Sequence, residues 1–391
     1  MSNIAFSDKP IKLIRITTVP HSLDLLLRGQ MRYMKSNNIQ VIMMCSNGPE
    51  ISGLIEREGC DWIEVPLTRK FNIWKDFKAL IFLVNQFRKI KPDIVHSHSP
   101  KAGTVAQLAA KITGVPLRIH TIAGLPLMEY AGKKRILLNY VERLTYYCSH
   151  WILPNSKSQA KFIIEEKFTD PKKIHIIGQG SSNGIDRNYY SKTKDVLQQA
   201  KSLMEELNLT CDDFKICFVG RLANSKGINE LVYAYKKLEH LIPNLKLLLV
   251  GPYEDINPLD HDVLETINSN DNIITSGHVN DIRPYLASAD LFVFPSYREG
   301  FPQSLMQANA MGLPCIATDI NGCNEIIEHN VNGILIKPKN IDELIASVLH
   351  LYRNPDERNM MSKNAISLIT KEFDQQYIWS ELLLFYKSHL N

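Results

Sequence analysis

The sequence has no apolar run long enough to cross a bilayer: the stretch Ala79–Val84 is six residues, where a spanning helix needs about 20. Its opening, MSNIAFSDKP, holds no apolar run before the first proline, which argues against a cleavable export signal. No GxGxxG follows the first apolar strand, which argues against a dinucleotide-dependent dehydrogenase. Cysteine is sparse and unpatterned. The seven, at 45, 60, 148, 211, 217, 315 and 323, form an odd set without CxxC or Cys/His ligand spacing. They exclude a zinc module or a disulfide framework and read as reduced thiols of a cytoplasmic protein. Acidic residues are scarce in the front half. Residues 1–188 hold 27 Lys and Arg against 15 Asp and Glu, a net of +12, while residues 189–391 hold 18 against 26, a net of −8. The basic half calls for an anionic partner, unless the imbalance is solvated charge that segregated by chance.

What is present is a soluble composition, 45% hydrophobic and 22% charged, over 391 residues, a length suited to two domains. Apolar runs alternate with amphipathic stretches. In the front half, Ile11–Thr17, Val41–Cys45, Trp62–Val65, Ile94–His96 and Arg118–Thr121 read as strands. Between them, Leu23–Ser36, Glu50–Glu58, Trp74–Ile90 and Lys101–Ile112 read as helices. The pattern restarts after residue 188 with strands Phe214–Val219, Leu245–Val250, Ile273–Thr275, Leu291–Phe294 and Cys315–Ala317, and helix Ile228–Leu238. The fold class is therefore α/β, with two Rossmann-like doubly wound domains, 1–188 and 189–371. The flexible stretch Gly178–Gly184 marks their joint. A last helical segment, 372–391, could pack back on the first domain. Ligands of such sheets sit beyond the strand carboxyl ends, so the site is expected in a cleft where the two sets of strand ends face each other.

Three strand-to-helix loops carry chemistry. In Ser296-Tyr-Arg-Glu-Gly-Phe-Pro-Gln-Ser-Leu-Met-Gln307, Glu299 follows a buried strand, Gly300 lets the backbone turn, and Pro302 suits a first helical turn. Backbone amides from Phe301 through Ser304 and Leu305 make an anion site at the helix start, and Glu299 beside it can grip sugar hydroxyls. The alternative is a carboxylate that only stabilises its helix dipole. In Gly220-Arg-Leu-Ala-Asn-Ser-Lys226-Gly227, two cations five residues apart stand at a strand end. Arg221 can fork to two oxygens and Lys226 supplies a mobile point charge, as a departing diphosphate requires. The third loop, Thr318–Ile327, offers small and polar groups for a donor pocket.

In this order the three loops resemble the family 4 retaining glycosyltransferases of the GT-B fold, most specifically from Gly220 to Gly333. The resemblance implies that the first domain binds the acceptor and the second a nucleotide sugar. Arg221 and Lys226 would bind the donor pyrophosphate, and Glu299 the transferred sugar. The family's second glutamate, which holds the ribose, is Gln307 here, so that contact lacks charge assistance. Paired glycines common after the first strand are replaced by Val19-Pro20-His21-Ser22-Leu23. A Thr-x-His-Gly loop becomes Thr121-Ile122-Ala123-Gly124, which removes a side-chain base. A front-face reaction tolerates that loss, because the departing phosphate accepts the acceptor's proton.

Candidates on the acceptor side are His21, His96 and His98, Gly124, and the basic trio Lys133, Lys134 and Arg135. The two strand-end histidines either orient an acceptor or are hydrogen-bonded structure. The stretch Thr121–Arg135, with Gly178–Asp186, resembles the capsule and lipid-linked oligosaccharide branch, whose acceptors are saccharides on polyprenyl diphosphate. Leu125, Pro126, Leu127 and Met128 beside the basic trio suit an anionic membrane surface, at the inner face of the cell membrane. An amphipathic helix with a basic rim is the plainer account. Asp260-His261-Asp262 has the short Asp-x-Asp form of another glycosyltransferase fold, yet it lies in the wrong architecture; no metal, cofactor or nucleic acid is expected. The expected activity is retaining transfer of an N-acetylated or deoxy hexose from a UDP-sugar in surface polysaccharide synthesis. The alternatives are a GT-B protein that binds nucleotide sugar without turnover, and a UDP-sugar 2-epimerase.

Overall fold

The apolar runs become strands of two separate sheets in the computed structural model, which describes residues 10–68, 72–125, 127, 132–369 and 373–390. The chain divides into two compact units, residues 1–184 with 375–391, and residues 185–374. The division falls at Gly184, four residues before the boundary read from the sequence, and the last helix belongs to the first unit.

The first unit runs β1 (Ile11–Ile16), α1 (Pro20–Leu26), α2 (Gln30–Ser36), β2 (Ile39–Cys45), α3 (Ile51–Glu58), β3 (Asp61–Glu64) and α4 (Ile73–Ile90). It continues with β4 (Ile94–His98), α5 (Pro100–Ile112), β5 (Leu117–Ile122), α6 (Gly132–Cys148), β6 (Trp151–Pro154) and α7 (Lys157–Glu165). All strands are parallel, in the order β3-β2-β1-β4-β5-β6. The order reverses between β1 and β4, the position where ligands of doubly wound sheets gather.

The second unit runs α8 (Lys194–Glu206), β7 (Phe214–Val219), α9 (Ile228–Leu238), β8 (Leu245–Val250), α10 (His261–Ser269), β9 (Ile273–Gly277) and α11 (Arg283–Ser288). Then follow β10 (Leu291–Phe294), α12 (Gln303–Ala310), β11 (Cys315–Thr318), α13 (Cys323–Ile326), β12 (Gly333–Ile336), α14 (Ile341–Arg353) and α15 (Pro355–Leu368). Its parallel sheet has the order β12-β11-β10-β7-β8-β9, the same winding as the first, and reverses between β7 and β10. Strands such as Leu245–Val250 are buried on both faces, which is why they read as unbroken apolar runs rather than alternating ones.

The helix read over Leu23–Ser36 is two helices. The break falls at Gly29, in the left-handed region at φ +80°, where an added Cβ would stand 2.7 Å from the Trp379 ring. Trp379 belongs to α16 (Gln375–Ser388), which returns to the first unit and buries Ile378, Leu382, Phe385 and Tyr386 against Leu13, Ile94 and Ile119. The indole of Trp379 donates to the Asn183 side chain at 2.7 Å and packs on Tyr33.

Candidate active site

The switch point of the second sheet gathers the strongest motif residues. β7 ends in Gly220, after which Arg221 and Lys226 lie on the loop leading to α9; β10 ends before Glu299, on the loop leading to α12. The two loops close on each other because Gly227, at φ +72°, sits where any Cβ would come within 2.1 Å of the Pro295 carbonyl. Lys226 Nζ then donates to Glu299 Oε1 at 2.6 Å, across 73 residues of sequence and with both side chains mostly buried. The Asn321 amide, on the third loop, donates to the Glu299 carbonyl at 3.0 Å and fixes its backbone. All three sequence motifs thus meet at one strand-end crevice of one unit.

Helix α12 opens at Gln303, with Pro302 at the cap position rather than inside the first turn. Proline has no N–H, so Pro302 supplies shape and no amide donor. Phe301 and Leu305 are buried in the core, Phe301 against Phe373, so only their backbone can face an anion. Ser304 is half-buried on the first turn beside the half-buried Gly300. Gln307, one turn further, donates from Nε2 to the Tyr190 hydroxyl at 2.8 Å, which leaves its carbonyl oxygen as the acceptor. Arg221 is exposed and ion-paired with Glu254, a carboxylate the motif reading did not include. Any anion drawn to this guanidinium would compete with that carboxylate. Glu254 lies on the loop after β8, the strand beside β7, and that position was its only signal.

In the first unit several of the expected acceptor-side residues are buried or already paired. His96 and His98 are buried and stacked on each other, with ring centroids 4.4 Å apart. His96 Nδ1 contacts the Arg15 guanidinium, lies 2.5 Å from the Tyr386 hydroxyl, and its Nε2 lies 2.7 Å from Thr121 Oγ1. His98 Nε2 takes a bond from Arg15 at 3.0 Å. Burial, and then the Arg15 charge, pushes both imidazoles well below their ordinary range, so both are neutral acceptors for Arg15. These bonds engage three of the four ring nitrogens; among the described residues His98 Nδ1 is buried with no partner. Arg15 itself was missed; its signal was a charge inside the apolar strand IKLIRI. A cavity of about 10 Å³ beside this cluster is at the lower bound for one water molecule.

His21 is on the first turn of α1, half-exposed and 3.5 Å from Glu50. Gly124 is half-buried after β5 with open space beside it. Two of the four apolar residues expected at a membrane surface turn inward. Leu125 and Leu127 are buried with Tyr146 and Ile152, while Pro126 and Met128 lie outside the described residues. Arg135 is turned inward onto Asn139 and the Leu127 carbonyl, at 2.8 and 2.9 Å. Lys133 and Lys134 are exposed at the start of α6. Asp260 and Asp262 both face the Tyr233 hydroxyl, and among the described residues no cluster of three metal-ligating side chains exists. No helix among them is long and apolar enough to cross a membrane.

Comparison with known proteins agrees with this geometry. Residues 18–156 match the family described as Glycosyl transferase 4-like, and residues 199–368 match Glycosyl transferases group 1. The chain is 30% identical to the capsular polysaccharide biosynthesis glycosyltransferase CapM of Staphylococcus aureus, over 97% of each chain. It is 29% identical to the UDP-Gal:alpha-D-GlcNAc-diphosphoundecaprenol alpha-1,3-galactosyltransferase of Escherichia coli, over 87% of each. The crystal structure of Anabaena Alr3699/HepE in complex with UDP matches with a TM-score of 0.80 at 18% identity, covering 97% of this chain and 100% of that one. The chain therefore belongs to the GT-B glycosyltransferases, in the branch that includes capsule and lipid-linked oligosaccharide enzymes.

Proposed function

We propose that the protein is a retaining, metal-independent glycosyltransferase that moves a hexose, N-acetylated or deoxy, from a UDP-sugar to a saccharide on polyprenyl diphosphate. The observation that carries the reading is the Lys226–Glu299 pair at the switch point of the second sheet. It sets a cation for the departing phosphate beside a carboxylate for the sugar hydroxyls, in one largely buried crevice where such charges act strongly. Arg221, released from Glu254, adds a bidentate contact to the diphosphate, and the free oxygen of Gln307 accepts from a ribose hydroxyl. In the transfer the bond from the anomeric carbon to phosphate breaks and the bond to the acceptor oxygen forms on the same face. The acceptor's proton passes to the departing phosphate oxygen. With two cations at hand the leaving charge needs no metal, so transfer proceeds in chelator.

The donor and acceptor classes are supported by relatives. The Escherichia coli enzyme uses UDP-galactose and a diphosphoundecaprenol-linked acceptor, and a Campylobacter jejuni relative, 26% identical over 79% of this chain and 80% of that one, is named as an N-acetylgalactosaminyltransferase acting on a diphospho-undecaprenol saccharide. A panel of UDP-sugars with a lipid-linked saccharide and mass detection tests the proposal. One donor should add one sugar with the anomeric configuration kept. Glu299→Gln should lower that transfer at least about hundredfold while UDP still binds. Inverted product, or normal turnover by the variant, refutes it. UDP binding without transfer from any donor returns the binding-only reading.

A further inference from the structure

Two helices of the first unit carry apolar stripes that its fold leaves uncovered. On α4 these are Ile73, Trp74, Phe77 and Ile81, on the side away from the buried Ala79, Leu83 and Phe87. On α6 they are Ile136, Leu137, Tyr140 and Leu144, opposite the buried Glu142, Thr145 and Tyr146. All eight are between 41% and 79% exposed, Trp74 the most. Single exposed apolar side chains are ordinary, but two such helical stripes, on the helices that flank α5, call for a cover.

The stripes share one end of the unit. An ion pair of 2.7 Å between Asp76 and Lys101 sets the first turn of α4 level with that of α5. A 2.7 Å hydrogen bond between Thr104 and Thr145 ties the first turn of α5 to the last turns of α6. The start of α5 is then level with about residue 141 of α6, so the turns of α6 before it, from Gly132 and including Ile136, Leu137 and Tyr140, project about 14 Å past that start at 1.5 Å per residue. Helices that connect parallel strands run against them, so these projecting ends lie toward the strand carboxyl ends, the ligand side of the sheet.

The charges name the covering surface. The exposed charged side chains on the two helices are all basic: Lys75, Lys78, Arg88 and Lys89 on α4, and Lys133, Lys134 and Arg143 on α6. Of their acids, Asp76 is held in its ion pair and Glu142 is buried. A second copy of this face would set cation against cation. An anionic lipid surface instead neutralises the rim while its acyl boundary takes up the aromatic and aliphatic stripe.

We propose that the outward faces of α4 and α6 are the surface that seats the first unit on an anionic bilayer, with Trp74 and Phe77 entering it. This deepens the lipid-linked acceptor reading and is tested apart from it, on vesicles that contain neither donor nor acceptor. The full chain should sediment with equimolar phosphatidylcholine–phosphatidylglycerol vesicles at least about tenfold more than with phosphatidylcholine alone. W74S/F77S should reduce that partition at least about tenfold, with an unchanged urea midpoint because both side chains are solvated. Brominated lipid should quench the tryptophan fluorescence, and Trp74→Phe should remove most of the quenching, since Trp62 and Trp151 are half-buried and Trp379 is buried. Equal partition of wild type and double variant, or quenching that survives Trp74→Phe, overturns the proposal. A lipid-free dimer that W74S/F77S dissolves also overturns it, in favour of a second copy. Vesicle binding with no sugar transfer refutes the proposed activity alone, and transfer without vesicle binding refutes this surface alone.

Discussion

Replacing Glu142 by glutamine should stabilise the first unit, by an amount that depends on pH in a calculable way. Glu142 lies on the buried side of α6, and burial pushes its carboxyl up from 4.5 to about 7, with the Tyr146 hydroxyl only partly opposing. A carboxyl raised in the folded state keeps its proton there between these values while the unfolded chain has lost it. Its contribution to stability is therefore harmless below pH 4.5 and is lost progressively up to pH 7. A displacement of about 2.5 units at 1.36 kcal/mol each makes the ionised group cost about 3 kcal/mol above pH 7. Glutamine has the same shape and no charge to bury. Glu142→Gln should then gain about 3 kcal/mol at pH 8 and nothing below pH 4.5. The assay is built into the sequence: all four tryptophans, 62, 74, 151 and 379, belong to the first unit, so their fluorescence during urea unfolding reports on that unit alone. A loss at pH 8 would show that Glu142 is ionised and satisfied in the fold, and a gain of the same size at every pH would show that burial does not raise its carboxyl.

The buried histidines have the opposite sign. His120, pushed by burial from 6.5 to about 4, stays neutral while the unfolded chain takes up a proton, so its stability is complete above pH 6.5 and falls away below it, by about 3 kcal/mol at pH 4. His96 and His98 act in the same direction, and the urea midpoint of Glu142→Gln should fall more steeply with acid than that of the wild type. An acid-insensitive midpoint would refute the neutral assignment. Gly103→Ala should cost about 1–3 kcal/mol in the same assay, since the new Cβ would stand 2.3 Å from His120 Cε1; an unchanged midpoint would mean that the ring can move aside. Glu254→Ala should tighten UDP binding up to about fivefold in low salt, because an exposed pair is worth at most about 1 kcal/mol. Weaker binding by calorimetry would make Glu254 a donor contact instead of a competitor.

The donor-side chemistry was legible because it is local: each motif hangs from a buried strand whose apolar run announces it. Phe214–Val219, Ile228–Leu238, Leu245–Val250 and Leu291–Phe294 have the bounds their runs suggest. What escaped depends on contacts far apart in the chain. The split between α1 and α2 is made by Trp379, some 350 residues away, and no local breaker but one glycine marks it. Arg15 drew no reading because the groups that enclose it, Tyr386 and two histidines, lie more than 80 residues away in the chain. Leu125 and Leu127, which beside a basic trio suggest a membrane patch, are taken instead by the core under α6. The edge strand Gly333–Ile336, which opens on a glycine, went unmarked, and Glu254 pairs with Arg221 only through the neighbouring strand.

The return of α16 has a consequence for synthesis. Residues 185–374 form a contiguous unit, whereas the first unit is complete only when residues 375–391 have been added. At about 5–20 residues per second, the ribosome spends roughly 10–40 s making the intervening segment. Through that interval the sheet face carrying Leu13 and Arg15 lacks the cover of α16, and Arg15 lacks Tyr386. A nascent chain stalled before residue 375 would therefore hold a finished second unit and an open, sticky first one. Chaperone demand and proteolytic risk thus fall on the half of the protein that is translated first but finished last.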